Sequence, residues 1–172
     1  SRLPHTKGKE SDATKYDGGT IYFDHSSQFI FIWNQASLWV GEILQGKHAF
    51  ELFALDYGIK LKSFHAADNH PFAAAEFLED LKLQDQTITY SGVGAHHANG
   101  VSERTIKTIT TWARSMMMHQ LMHWPDEFEA DLWPFAMNHA VHLWNHMPRS
   151  RNGLTPFELF TGLKLPNHDV LT

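Results

Sequence analysis

Between Thr20 and Ser91 the apolar residues switch repeatedly between alternation and helical spacing, a pattern that fits a sheet covered by helices and little else. The runs TIYFD and FIFIW flank the polar HSSQ, which predicts a hairpin with strands near 20–25 and 28–34. Val40, Ile43, Leu44, Phe50 and Phe53 then follow a helical period within 38–57, and Gly58 stands where a C-cap glycine belongs. KLKSFHAA (60–67) returns to strand character and ends at Asp68-Asn69. Pro71 is expected to open a second helix with Ala74, Phe77, Leu78 and Leu81 on one face. A strand over 86–91, a glycine-bearing loop over 92–100 and a long helix over 100–122 follow. Two more helices are expected over 131–147 and 155–162, with Pro134 in the first turn of the former, where proline is tolerated. The order is β-β-α-β-α-β-α-α-α, an α/β chain with a mixed sheet flanked by helices.

The length of 172 residues suits one domain with a core of its own. Residues 1–19 offer almost nothing to bury and read as an extended arm; 20–165 form the domain and 166–172 a tail. No cysteine is present, which removes disulfides, thiolate zinc sites and cysteine nucleophiles together. No apolar run approaches the roughly 18 residues of a membrane span. The formal net charge of −5 counts against a dedicated non-specific nucleic-acid binder, whose usual footprint is a basic face. The chain opens at Ser1 rather than methionine and is expected to be a piece of something longer.

Functional groups in open α/β sheets gather at strand ends and the helix starts beside them. Asp68 stands at the end of an expected strand and Glu103 in the first turn of the long helix, with 34 residues between them. One helix and one strand fill that gap, so the chain can return to set the two carboxylates side by side. Each acid also has a plain structural use, Glu103 on the helix dipole and Asp68 in a turn. At 100° per residue, Glu103, Lys107, Thr110 and Arg114 lie within about 40° of one another. Val101, Ile109, Ala113 and Met116, flanked by Ile106, Trp112 and Met117, form the opposite, core-facing side. The polar stripe is open to two readings. It is a solvated face with a Glu103–Lys107 pair, or a metal-binding carboxylate whose helix tracks a phosphate backbone. Such a stripe can bind DNA despite the net charge, with steep weakening by salt.

The segment SGVGAHHANGVSERTIKTI (91–109) resembles the integrase signature of retroviruses and retrotransposons, most closely the copia type. Asn99-Gly100 and Glu103-Arg104 match the end of the active-site loop and the helix bearing the last catalytic acid, and Asp68-Asn69 matches the middle one. The stretch LWPFAMNHAVHLWNHMPRSRNGLTPFELFTG (132–162) is similar to the helical tail of the same core, and the likeness covers roughly residues 20–165. The resemblance implies a ribonuclease-H-like fold and two-metal phosphoryl transfer with Mg²⁺ or Mn²⁺: hydrolysis at the element's DNA ends, then attack of the 3′ hydroxyls on target DNA. Asp68 and Glu103 would be catalytic metal ligands. Lys107, Arg104, Asn99 and Arg114 would contact DNA. A homo-oligomer is implied, without a membrane, in a nucleus or a cytoplasmic virus-like particle.

The family uses three acids, the first on a strand before the hairpin. The one early strand acid here is Asp24, in YFDHSSQF, which resembles the family's second strand and turn. Either the first acid lies upstream of Ser1, and this segment alone is expected to be inactive or nearly so, or Asp24 takes its part. Two other readings stay open. One is a non-catalytic DNA-binding or assembly module on the same fold. The other is a histidine-rich metal-binding helical protein, drawing on the 13 histidines and the spacings His119/His123 and His139/His142/His146. His96 and His97 fall in the 92–100 loop, where protonated rings could meet phosphates.

Overall fold

A computed structural model describes residues 8–9, 15–67, 70–91, 100–149 and 153–164. Asp68, His96, His97, Asn99 and the 166–172 tail lie outside the described residues. Within the stretch read as an arm, β1 (Gly8–Lys9) and β2 (Lys15–Tyr16) pair as a short antiparallel ribbon, so part of it is structured.

β3 (Gly18–Phe23) and β4 (Ile30–Gln35) form the expected hairpin in the register Tyr22↔Phe31. Its turn is set by Asp24, whose Oδ2 accepts from the Ser27 amide at 2.7 Å and the Ser27 hydroxyl at 2.6 Å. Strand alternation then sends side chains to two faces. Tyr22, Phe29 and Phe31 pack on one side against Phe50 and Phe53 of α1 (Val40–Asp56) and Phe160 of α5 (Pro156–Thr161). Ile21, Phe23, Ile30 and Ile32 pack on the other against Ile109 and Ala113 of α3 (Gly100–His123) and Met137, Ala140 and Trp144 of α4 (Trp133–His146). Gly46 lets α1 lie close on the hairpin, since a Cβ there would meet the Trp33 ring at 2.8 Å. α1 ends at the expected glycine: Gly58 is left-handed (φ +74°) and its amide donates to the Leu55 carbonyl at 2.8 Å.

β5 (Ser63–Ala67) and β6 (Thr87–Ser91) run parallel, joined through α2 (Ala75–Leu83). Pro71 does not open that helix. It lies in a separate 3₁₀ turn, His70–Ala73, and the helix starts after an extended Ala74 (ψ 145°), with Phe77 and Leu81 buried against Ile43. The buried row of α3 is Thr105, Ile109, Ala113 and Met117. The expected core side is therefore rotated: Val101 is exposed and Met116 half-buried, while Thr105 is buried and returns its hydroxyl to the Val101 carbonyl at 2.9 Å. α4 carries Pro134 in its first turn as expected. α5 has a complete capping box between Thr155 and Glu158. Together these elements give an α/β molecule with helices on both sides of its strands.

A lysine is buried in this frame. Lys47 donates to Glu51 Oε1 at 2.6 Å and Asp80 Oδ2 at 2.7 Å, tying α1 to α2, and His48 Nε2 lies 2.7 Å from Asp80 Oδ1. Burial would raise the Asp80 pKa, but hydrogen bonds from Lys47 and His48 and their charges outweigh it and hold the carboxyl below its usual range. Among the described residues no helix is long and apolar enough to cross a membrane.

Candidate active site

The hairpin and the parallel pair do not touch through hydrogen bonds; each is a two-stranded sheet. Between them lies a cavity of about 620 Å³, bordered by Ile21–His25 of the hairpin, Ser63–Ala66 of β5, and Ser102, Glu103 and Ile106 of α3. Phe50, Phe64, Phe72, Phe77 and Ile88 give it apolar walls.

Glu103 lies in the first turn of α3, exposed, on the rim of this cavity. The expected Glu103–Lys107 pair does not form, and no ion pair or hydrogen bond engages the Glu103 carboxylate or the Lys107 ammonium among the described residues. A carboxylate in that setting keeps its oxygen lone pairs for an incoming cation, and carboxylate oxygen is the donor that Mg²⁺ and Mn²⁺ prefer. Ala66 of β5 borders the same cavity, and Asp68 follows two positions later in the chain. The structure thus brings Glu103 and the C-terminal end of β5 to one cavity.

The remaining predicted residues divide. Lys107 is exposed on the same side of α3. Arg104 is exposed, but its Nε donates back to the Gly100 carbonyl at 2.9 Å, so it braces the helix start. Arg114 is half-buried two turns beyond Lys107. Asp24 borders the cavity, and the two bonds from Ser27 give it a structural use in the turn. Among the lining residues not singled out in the sequence are His25, His65 and Ser102. His65 Nδ1 lies 2.8 Å from the Thr89 hydroxyl. Its position three residues before Asp68 on a strand was the available signal.

The histidine spacings give stacks instead of a ligand set. His142 and His146 rings lie 4.1 Å apart at 26°, and His146 stacks on Phe157 at 5.2 Å. Among the described residues no three His, Asp or Glu side chains are grouped to hold a metal ion.

No family model and no curated protein matches the sequence. Solved structures match its fold. The HTLV-2 integrase catalytic core domain, in complex with magnesium in a trimeric form, has a TM-score of 0.61 at 17% identity, over 88% of this chain and 89% of that one. The catalytic core domain of BIV integrase has a TM-score of 0.59 at 14% identity, over 81% and 82%. A chain of the simian T-cell lymphotropic virus intasome, in complex with PP2A regulatory subunit B56 gamma, has a TM-score of 0.65 at 17% identity, over 96% of this chain and 54% of that one. The fold is that of integrase catalytic cores, the ribonuclease-H-like α/β fold.

Proposed function

We propose that this chain is the catalytic-core segment of a copia-type retrotransposon integrase, which processes DNA 3′ ends and joins them to target DNA by metal-dependent phosphoryl transfer. One observation carries the reading: on an integrase-core fold, Glu103, unpaired among the described residues, and the end of β5 that leads to Asp68 meet at one cavity. Asp68 and Glu103 would hold Mg²⁺ or Mn²⁺. When bound, a metal pair of this kind stabilises the attacking and leaving oxygens of an in-line displacement. Lys107, which has no ion-pair or hydrogen-bond partner for its ammonium among the described residues, would supply positive charge beside the acid for a DNA phosphate. Arg104, Asn99 and Arg114 extend that contact along the helix start and its polar face.

The segment SGVGAHHANGVSERTIKTI supports the copia assignment. The Ser27 bonds to Asp24 support a first catalytic acid supplied from upstream of Ser1, because they explain Asp24 as a turn residue. The solved HTLV-2 cores are named as trimeric and dimeric forms, which supports a homo-oligomer. In this reading it would act on DNA, in the nucleus or a cytoplasmic virus-like particle. The test is joining of a labelled oligonucleotide end to target DNA by the polypeptide extended upstream of Ser1. Activity that requires Mg²⁺ or Mn²⁺ and is lost in Glu103→Gln and Asp68→Asn is expected; unchanged activity in either variant rejects the assignment.

A further inference from the structure

No three ligands are gathered on the histidine face of α4 among the described residues, but two are. His142 and His146 stand about one helical turn apart on one face, with rings 4.1 Å apart and 26° from parallel. His146 is half-buried and fixed from two further directions. Its ring stacks on Phe157 of α5 at 5.2 Å and 20°, and its Nδ1 lies 2.8 Å from the His142 carbonyl. A carbonyl only accepts, so in the neutral ring Nδ1 carries the proton and Nε2 holds the lone pair. A backbone carbonyl on the second nitrogen is a partner that metal-ligating histidines commonly have.

The His142 ring is suited to the same use. Partial burial, then the charges of His146 and His139, hold its pKa below 6.5, so the ring is neutral and offers a lone pair at neutral pH. No hydrogen bond occupies its ring nitrogens among the described residues. Two imidazole nitrogens at Zn–N distances of roughly 2.0–2.1 Å stand about 3–3.5 Å apart. Rings 4.1 Å apart reach that separation by turning about χ2, a soft torsion in histidine. His119 and His123 on α3 make the contrast: they have the same spacing, with rings 4.2 Å apart at 41°. Both are exposed beside Trp124, and no hydrogen bond fixes either ring among the described residues.

We infer that His142 and His146 form a bidentate site for one late first-row divalent cation of the Zn²⁺ and Cu²⁺ class, with water at the remaining positions. Imidazole selects these ions, since Mn²⁺ stands at the foot of their affinity order and Mg²⁺ prefers oxygen. Neither histidine borders the cavity at Glu103, so the site differs from that one in place as well as in chemistry. The ion holds His146 in its stack on Phe157 and so pins the last turn of α4 to α5. Asn145 in that turn holds both backbone groups of Ile30, so the ion also steadies the packing of α4 on the hairpin.

Titration calorimetry of the 172-residue chain with Zn²⁺ in excess Mg²⁺, which fills carboxylate sites and leaves imidazole alone, tests the site. One tightest site per chain is expected, with a Zn²⁺-dependent rise in the unfolding midpoint. His142→Gln and His146→Gln should each weaken that site by about tenfold or more, at least the cost of a lost outer-shell contact, and remove the rise. His119→Gln and Glu103→Gln should leave both unchanged. His142 is exposed, so His142→Gln should keep the parent's metal-free midpoint at neutral pH, which separates lost binding from lost folding. Cu²⁺ on the parent chain should show the electron paramagnetic resonance pattern of two imidazole nitrogens, and of one in His142→Gln. An affinity unchanged in His142→Gln, or reduced equally by His119→Gln, overturns the inference, as does loss of the site in Glu103→Gln. No readout involves DNA, so the outcome is independent of the proposed function.

Discussion

Asn145 on α4 bonds both backbone groups of Ile30, 115 residues away in sequence, and so closes the outer edge of β4. The side chain is buried, and it does for the hairpin edge what a neighbouring strand would do. Asn145→Leu removes two hydrogen bonds and leaves a buried amide and carbonyl without partners. A loss of about 2–4 kcal/mol in urea unfolding is expected, against less than about 0.5 kcal/mol for a surface change such as His139→Gln.

The buried Lys47 makes a second stability prediction. With Lys47→Met, Glu51 and Asp80 lose the cation that compensates them. A cost of about 3–5 kcal/mol at neutral pH is expected for breaking such a pair. The Asp80 carboxyl is held below its usual range in the folded chain. Its contribution is therefore present above the unfolded pKa of 3.8 and lost as pH falls through the lower folded value. Thermal unfolding followed from pH 6 to pH 2 should fall less steeply in Asp80→Asn than in the parent chain.

The histidine stack predicts a different pH window. Burial, then the neighbouring His146 and His139, push the His142 pKa below 6.5. The unfolded chain then takes up its proton first, so stability declines as pH falls through 6.5 and levels off below the folded value. An NMR titration of the ring protons should place His142 below 6.5, and His142→Gln should flatten the stability curve in that window. A His142 titration at or above 6.5 contradicts the stack.

How much of this was legible in the sequence follows from which forces act locally. The period of the apolar residues placed β3, β4, α1 and α3 within a few residues, and Glu103 in a helix's first turn, because side-chain spacing and helix chemistry are local. Lys47 shows the limit. It stands one residue past Gly46 on the buried row of α1, but its partner Asp80 comes from α2, so its burial depends on packing. Asn145 likewise reads as a polar residue in a helix until β4 is laid beside it. The start of α2 was misplaced because Pro71 suits a 3₁₀ turn as well as a helix start, and the extended Ala74 that separates the two carries no side-chain signal. Strand pairing is tertiary, so the cavity between β3 and β5 had no local mark. The spacing of Asp68 and Glu103 is legible in the sequence; the cavity that Glu103 borders is not.

Lys107 predicts a salt signature. Its ammonium is exposed and has no partner among the described residues, so Lys107→Ala should leave the fold unchanged and weaken duplex oligonucleotide binding across all sequences. The slope of log K against log salt should flatten by about 0.9, the loss of one phosphate contact. An unchanged slope removes Lys107 from the DNA-contacting face.

The most direct test of the proposed metal site is paramagnetic broadening of the 172-residue chain's amide signals by Mn²⁺. Broadening centred on Ser102, Glu103 and Ala66, reversed by excess Mg²⁺ and lost in Glu103→Gln while the rest of the spectrum is unchanged, is the predicted result. Broadening centred on His139, His142 and His146, or a pattern that Glu103→Gln leaves intact, contradicts the account.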